Sequence, residues 1–138
     1  MIKGIAHLGI CVNSIDKTLE LLTKAAGAKE LSRIPMPERG QTSSYVSMGS
    51  GADAGADTLE LMEPLGDAGT VVDFLAKRGE GIHHISLKTD NLTEAIAAFE
   101  SAGCKIIGRT GDFAFVHPKT AFGVLYELVQ INEKELNN

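Results

Sequence analysis

The chain has 138 residues, 43% of them hydrophobic and 22% charged, with a net charge of −5, which fits one soluble domain of ordinary size or two half-size modules sharing a core. It carries no Lys/Arg cluster and no Trp, so a general nucleic-acid binder is not expected. Its apolar runs fall far short of the roughly 20 residues needed to span a bilayer, and the opening MIKGIAHLGICV lacks the long apolar core and cleavage site of a signal peptide.

In chain order, GIAHLGICV from Gly4 is a short apolar run suited to a strand. NSIDKTLELLTKAAG follows as a helix: Asn13 or Ser14 caps its start, Leu19 and Leu22 recur at helical spacing, and Gly27 suits the left-handed position past its end. KELSRI reads as a second strand, PERGQ as a turn, TSSYVSMG as a third strand and TLELM as a fourth. GSGADAGAD, residues 49–57, is expected to be a flexible connection without a function of its own. GTVVDFLAKRGE reads as a connecting helix. The order then repeats, with GIHHISLKT as a strand and DNLTEAIAAFESAG as a helix. Asn91 and Glu94 at its start have the spacing of a capping box, and Gly103 lies past its end. KIIGR, DFAFVH and GVLYELV complete three further strands.

Each half is thus strand, helix, then three strands. The expectation is an α+β fold of two tandem βαβββ modules in one domain, residues 1–138. Module one spans about 3–63, the connecting helix about 69–79 and module two about 81–131. Half a chain of this length buries only a marginal core, so the modules should pack together.

The repeat extends to polar residues. GIAHL and GIHHI place His7 and His84 alike in the first strand of each half, and LEL and YEL place Glu60 and Glu127 alike in the last. Neighbouring side chains in a strand point to opposite faces, so each carboxylate is separated from its apolar flanks. Two neutral imidazoles and two carboxylates would balance a divalent ion. Mixed N/O ligation suits Co²⁺, Mn²⁺, Ni²⁺, Fe²⁺ or Zn²⁺, and four protein ligands leave positions open for a substrate. A lone strand histidine is more often a hydrogen-bonded structural group; it is the fourfold echo that points to a metal. His83, facing away from His84, reads as a packing residue or a support behind the ligands, and His117 as a loop or cleft residue. Met36, Met48 and Met62 read as core or pocket lining, and Lys77 and Arg78 as solvated. Cys11 and Cys104, without CxxC spacing, read as reduced structural thiols of a cytoplasmic protein.

At these residues the sequence resembles the vicinal oxygen chelate superfamily and, within it, the methylmalonyl-CoA epimerase family. AHLGICVNSID, LELMEPLG, FLAKRGEGIHHISLKTDNL and HPKTAFGVLYELVQ carry the resemblance in collinear order over most of the chain. It implies an open, cupped mixed sheet around a metal cleft, with His7, Glu60, His84 and Glu127 as ligands to a divalent ion, Co²⁺ foremost and Mn²⁺, Ni²⁺ or Zn²⁺ as alternatives. It implies an acyl-CoA substrate, methylmalonyl-CoA, whose α-proton is moved through an enediolate, with Glu127 as catalytic base and a homodimer as the assembly. Lys119 in HPK is the candidate contact for an anionic group of the substrate. Two departures fall on the substrate side. Some epimerases carry a glutamate in the third strand of the first half, proposed as the other base, where GQTSSYV offers Ser43 or Ser44. The loop before HPK is also shorter than is usual in the family. The competing readings are a glyoxalase I-type lyase, set apart by a DPDG-like turn where this chain has HPK, and a non-catalytic binding protein of the same fold, which would lack the four ligands.

Overall fold

A computed structural model describes residues 1–49 and 57–132 of the chain; most of the GSGADAGAD connection, residues 50–56, lies outside the described residues. The first half runs β1 (Ile2–Cys11), α1 (Ile15–Ala26), β2 (Lys29–Met36), β3 (Gln41–Ser47) and β4 (Thr58–Pro64). After α2 (Thr70–Arg78) the second half runs β5 (Gly81–Thr89), α3 (Leu92–Ser101), β6 (Ile106–Ile107), β7 (Phe113–Val116) and β8 (Tyr126–Gln130). The expected strand–helix–three-strand order holds in both halves. The eight strands form a mixed sheet in the order β2-β3-β4-β1-β5-β8-β7-β6, and the fold is α+β.

The chain divides into two compact units, His7–His83 and Met1–Ala6 with His84–Asn138. In the first, β1 and β4 run parallel, while β4–β3 and β3–β2 are antiparallel. One face of these strands buries Val12, Val46 and Leu61 against Ile15, Leu19 and Leu22 of α1. Here the apolar face of a helix packs on a pleated surface and buries both from water. The other face buries Cys11 and Met62 beneath Val71, Phe74 and Leu75 of α2. In the second unit β5 and β8 run parallel, and β8–β7 and β7–β6 antiparallel. Ala114, Val116 and Leu128 meet Leu92, Ala95 and Ile96 of α3 in its core.

Local details sharpen several expectations. Ser14, not Asn13, caps α1: its Oγ accepts the Lys17 N–H at 3.2 Å, while the Asn13 N–H donates to the Glu80 carboxylate at 2.9 Å. Gly27 ends α1 at φ 67°, as its place in the sequence requires. The capping box of α3 is half formed. Asn91 Oδ1 accepts the Glu94 N–H, but the Asn91 N–H goes to Thr89 Oγ1 rather than back to Glu94. β2 runs on through Pro35 to Met36 because it is the end strand of its sheet, where a proline removes no inner hydrogen bond. KIIGR shrinks to two paired residues, Ile106 and Ile107. GVLYELV pairs only from Tyr126, because Phe122 (φ 57°) and Gly123 (φ 91°) turn the chain and the Gly123 N–H bonds Pro118 O at 2.8 Å.

Candidate functional site

The two halves hold their histidine and glutamate in one and the same register. In the first unit Gly9 is the partner of Glu60 across the parallel β1–β4 pair, which sets His7 two residues before that partner. In the second, Ser86 is the partner of Glu127 across β5–β8, which sets His84 two residues before it. Because side chains alternate along a strand, a two-residue offset returns to the same face. Each histidine therefore shares a face with the glutamate of its own half.

The antiparallel neighbour completes the motif. Tyr45 stands opposite Glu60 on β3, and Phe115 stands opposite Glu127 on β7. His7 meets Tyr45 edge-on with ring centroids 5.8 Å apart, and His84 meets Phe115 edge-on at 6.2 Å. Each imidazole thus leans on an aromatic ring from the strand beyond its glutamate. The sequence reading missed both rings; the signal was their equal placement in SYVS and AFVH.

In the first unit His7 Nε2 approaches Glu60 Oε1 to 3.2 Å. The other carboxylate oxygen, Oε2, accepts a 2.8 Å hydrogen bond from Ser43 Oγ, which in turn accepts one from Gln41 Nε2 at 3.0 Å. Glu60 is 7% exposed and Ser43 fully buried. A buried carboxylate is costly unless charged or hydrogen-bonding partners compensate it, and these contacts supply part of that. Ser44, the alternative at the family's glutamate position, lies on the opposite face and donates to Glu30. In the second unit His84 is buried and Glu127 half-buried, with Ser86 Oγ donating to Glu127 Oε1 at 2.7 Å. Ser86 was also missed, although standing two residues after His84 places it on that face.

The remaining candidates are placed elsewhere. His83 packs edge-on against Phe74 at 5.1 Å, matching its packing role. Its pKa is held below the usual histidine value by burial, with Arg78 adding to the effect and Glu60 opposing it. Burial, reinforced by the Glu60 charge, pushes the Cys11 thiol up to about 11, so it is inert near neutral pH. His117 caps a short 3-10 turn at Pro118–Thr120, its Nδ1 accepting the Lys119 N–H at 3.1 Å. The Lys119 side chain is exposed.

Residues 6–122 match the model of the glyoxalase/bleomycin resistance protein/dioxygenase superfamily. The chain belongs to that superfamily. Among its relatives, the mitochondrial methylmalonyl-CoA epimerase of Homo sapiens is 30% identical over 132 residues, covering 90% of this chain and 72% of that protein. The ethylmalonyl-CoA/methylmalonyl-CoA epimerase of Cereibacter sphaeroides is 26% identical, covering 95% of this chain and 100% of that one. Streptomyces coelicolor methylmalonyl-CoA epimerase, solved in complex with 2-nitronate-propionyl-CoA, superposes with a TM-score of 0.81 at 30% identity, covering 94% of this chain and 98% of the other. Within the superfamily, the chain is thus similar along nearly its whole length to proteins that carry an epimerase name.

Proposed function

We propose that this chain is a divalent-metal-dependent epimerase that interconverts (R)- and (S)-methylmalonyl-CoA, with His7, Glu60, His84 and Glu127 as the metal ligands. It is an isomerase of the racemase and epimerase class. The observation that carries the reading is the repeated register, which gives each half one imidazole and one carboxylate on a shared face. The donor chemistry fits a divalent ion: His7 Nε2 and Glu60 Oε1 stand 3.2 Å apart in one unit, and His84 and Glu127 bring the same donor types on a shared face in the other. Mixed imidazole and carboxylate ligation suits Co²⁺, Mn²⁺, Ni²⁺ and Zn²⁺ alike; Co²⁺ is put first on the resemblance to the epimerases. Epimerase relatives, one of them bound to an acyl-CoA analogue, support the substrate class.

The reaction breaks the C–H bond beside the thioester carbonyl and remakes it on the other face of the same carbon. Glu127 takes the α-proton, and the electron pair it leaves spreads onto the thioester oxygen. Ser86 holds one oxygen of Glu127, which fixes the carboxylate as it exchanges the proton. A divalent ion held by the four ligands would supply Lewis-acid stabilisation of the negative charge that develops. A proton delivered to the opposite face by a second donor inverts the centre, and Glu127 passes the proton it took to solvent. Ser43 is not used as a base in this scheme: a neutral hydroxyl is a weak base, and its oxygen already accepts from Gln41. Lys119, exposed on the turn after His117, is assigned to an anionic group of the CoA portion.

Cys11 and Cys104 are both free thiols, and no helix among the described residues is long and apolar enough to cross a membrane. The free thiols support a reducing, cytoplasmic setting, and we propose a homodimeric state. Incubating (S)-methylmalonyl-CoA alone with the Co²⁺-loaded protein is expected to yield a near-equal mixture of epimers, read by a stereospecific coupled assay. Retention of a single epimer, with turnover of the methylglyoxal–glutathione adduct instead, would assign glyoxalase I-type chemistry.

A further inference from the structure

We infer that Gln41 and Ser43 are positioning residues for Glu60. They bind one carboxylate oxygen so that the other is offered, on the His7 side, as a single-oxygen metal ligand. The inference rests on the ligand assignment proposed above. A serine hydroxyl has one proton to give. Gln41 reaches Ser43 through Nε2, a group that only donates, so the Ser43 oxygen accepts from Gln41 and its own proton goes to Glu60 Oε2. The orientation of the chain Gln41→Ser43→Glu60 is thereby fixed. His7 Nε2 faces the other oxygen, Oε1, at 3.2 Å.

The packing makes this more than an incidental contact. Ser43 is fully buried, and Gln41 and Glu60 are 7% exposed, so water has little access to take over any of the three links. All three side chains come from two adjacent antiparallel strands, β3 and β4, in unbroken register. The second half solves the same problem differently: Glu127 receives its hydroxyl from Ser86 on its parallel neighbour β5, and Phe113 occupies the β7 position that corresponds to Ser43. Ser43 therefore serves the geometry of one ligand in one half. Partners of this kind, behind a ligand, typically tune metal affinity about 10- to 100-fold.

The test measures the Co²⁺ dissociation constant by chelator competition, beside the melting temperature of metal-free protein, for wild type, Ser43→Ala, Ser43→Cys, Ser43→Thr and Gln41→Met. Removing the hydroxyl is expected to weaken Co²⁺ binding about 10- to 100-fold, and to lower the metal-free melting temperature as well because buried Glu60 loses a compensating partner. Ser43→Thr should restore affinity to within a few-fold, and Gln41→Met should fall between. Should Ser43→Ala fail to fold, the near-isosteric Ser43→Cys carries the comparison. Affinity in the hydroxyl-free variants within twofold of wild type would overturn the inference, as would a loss in Ser43→Thr equal to that in Ser43→Cys. Wild-type protein that binds no Co²⁺ would instead reject the ligand assignment itself.

Discussion

Glu60 and Glu127 occupy the same register in their halves, yet the proposed mechanism gives them different roles. Glu60 is buried and tied to Ser43, which suits a fixed ligand, whereas Glu127 is only half-buried and can also meet substrate. Glu60→Gln is therefore expected to lose epimerase rate mainly through metal affinity and to recover as Co²⁺ is raised. Glu127→Gln is expected to stay depressed by about 10²- to 10⁴-fold at saturating Co²⁺, the usual contribution of a general base. Steady-state rates across a Co²⁺ titration separate the two. Cys11 gives a pH-dependent counterpart. Its thiol is raised from an ordinary value of 9.0 to about 11, by burial and then by the Glu60 charge. The native state thus keeps a proton that the unfolded chain releases. Stability from this group is full below pH 9 and falls as pH rises from there towards 11. Urea midpoints at pH 8 and 10.5 should drop more for wild type than for Cys11→Ala.

At the scale of elements, the turn between β2 and β3 lies close against the backbone at Ala68 and Gly69. A Cβ on Gly40, at φ 68°, would lie 1.9 Å from Ala68 O, and one on Gly69 would lie 2.5 Å from Arg39 O. Gly40→Ala combines a backbone clash with left-handed strain of about 1–2 kcal/mol. It is expected to cost at least about 2 kcal/mol by denaturant unfolding. Gly66→Ala, at φ 98° with open space around it, should show the strain without the clash and cost less. The helices and their ends were legible because their causes are local: a cap side chain reaches three residues, and Gly27 answers to its own φ. The late start of β8 was not, because the Phe122–Gly123 turn that delays it has no strong signature in TAFGV. Nor were the bonds from Ser43 and Ser86. They depend on which strands become neighbours, and Ser43 reaches Glu60 across β3–β4 whereas Ser86 reaches Glu127 across β5–β8.

Over the whole molecule, the duplicated pattern was the most legible feature. A strand–helix–three-strand order written twice, with His and Glu echoed in its first and last strands, is a regularity that needs no knowledge of pairing. The structure adds the common register and the paired aromatics, Tyr45 and Phe115, which no single half makes conspicuous. A bound ion that recognises only the folded chain should stabilise it. Co²⁺ at one hundred times its dissociation constant is expected to add about 2.7 kcal/mol, read as a rise in melting temperature that EDTA reverses. The most direct test of the epimerase reading is exchange of the α-proton of methylmalonyl-CoA in deuterium oxide, followed by NMR. Co²⁺-loaded protein should replace the α-proton with deuterium as the centre loses its stereochemical purity, and chelated protein or Glu127→Gln should not. An α-proton left untouched by protein of confirmed metal content would contradict the assignment.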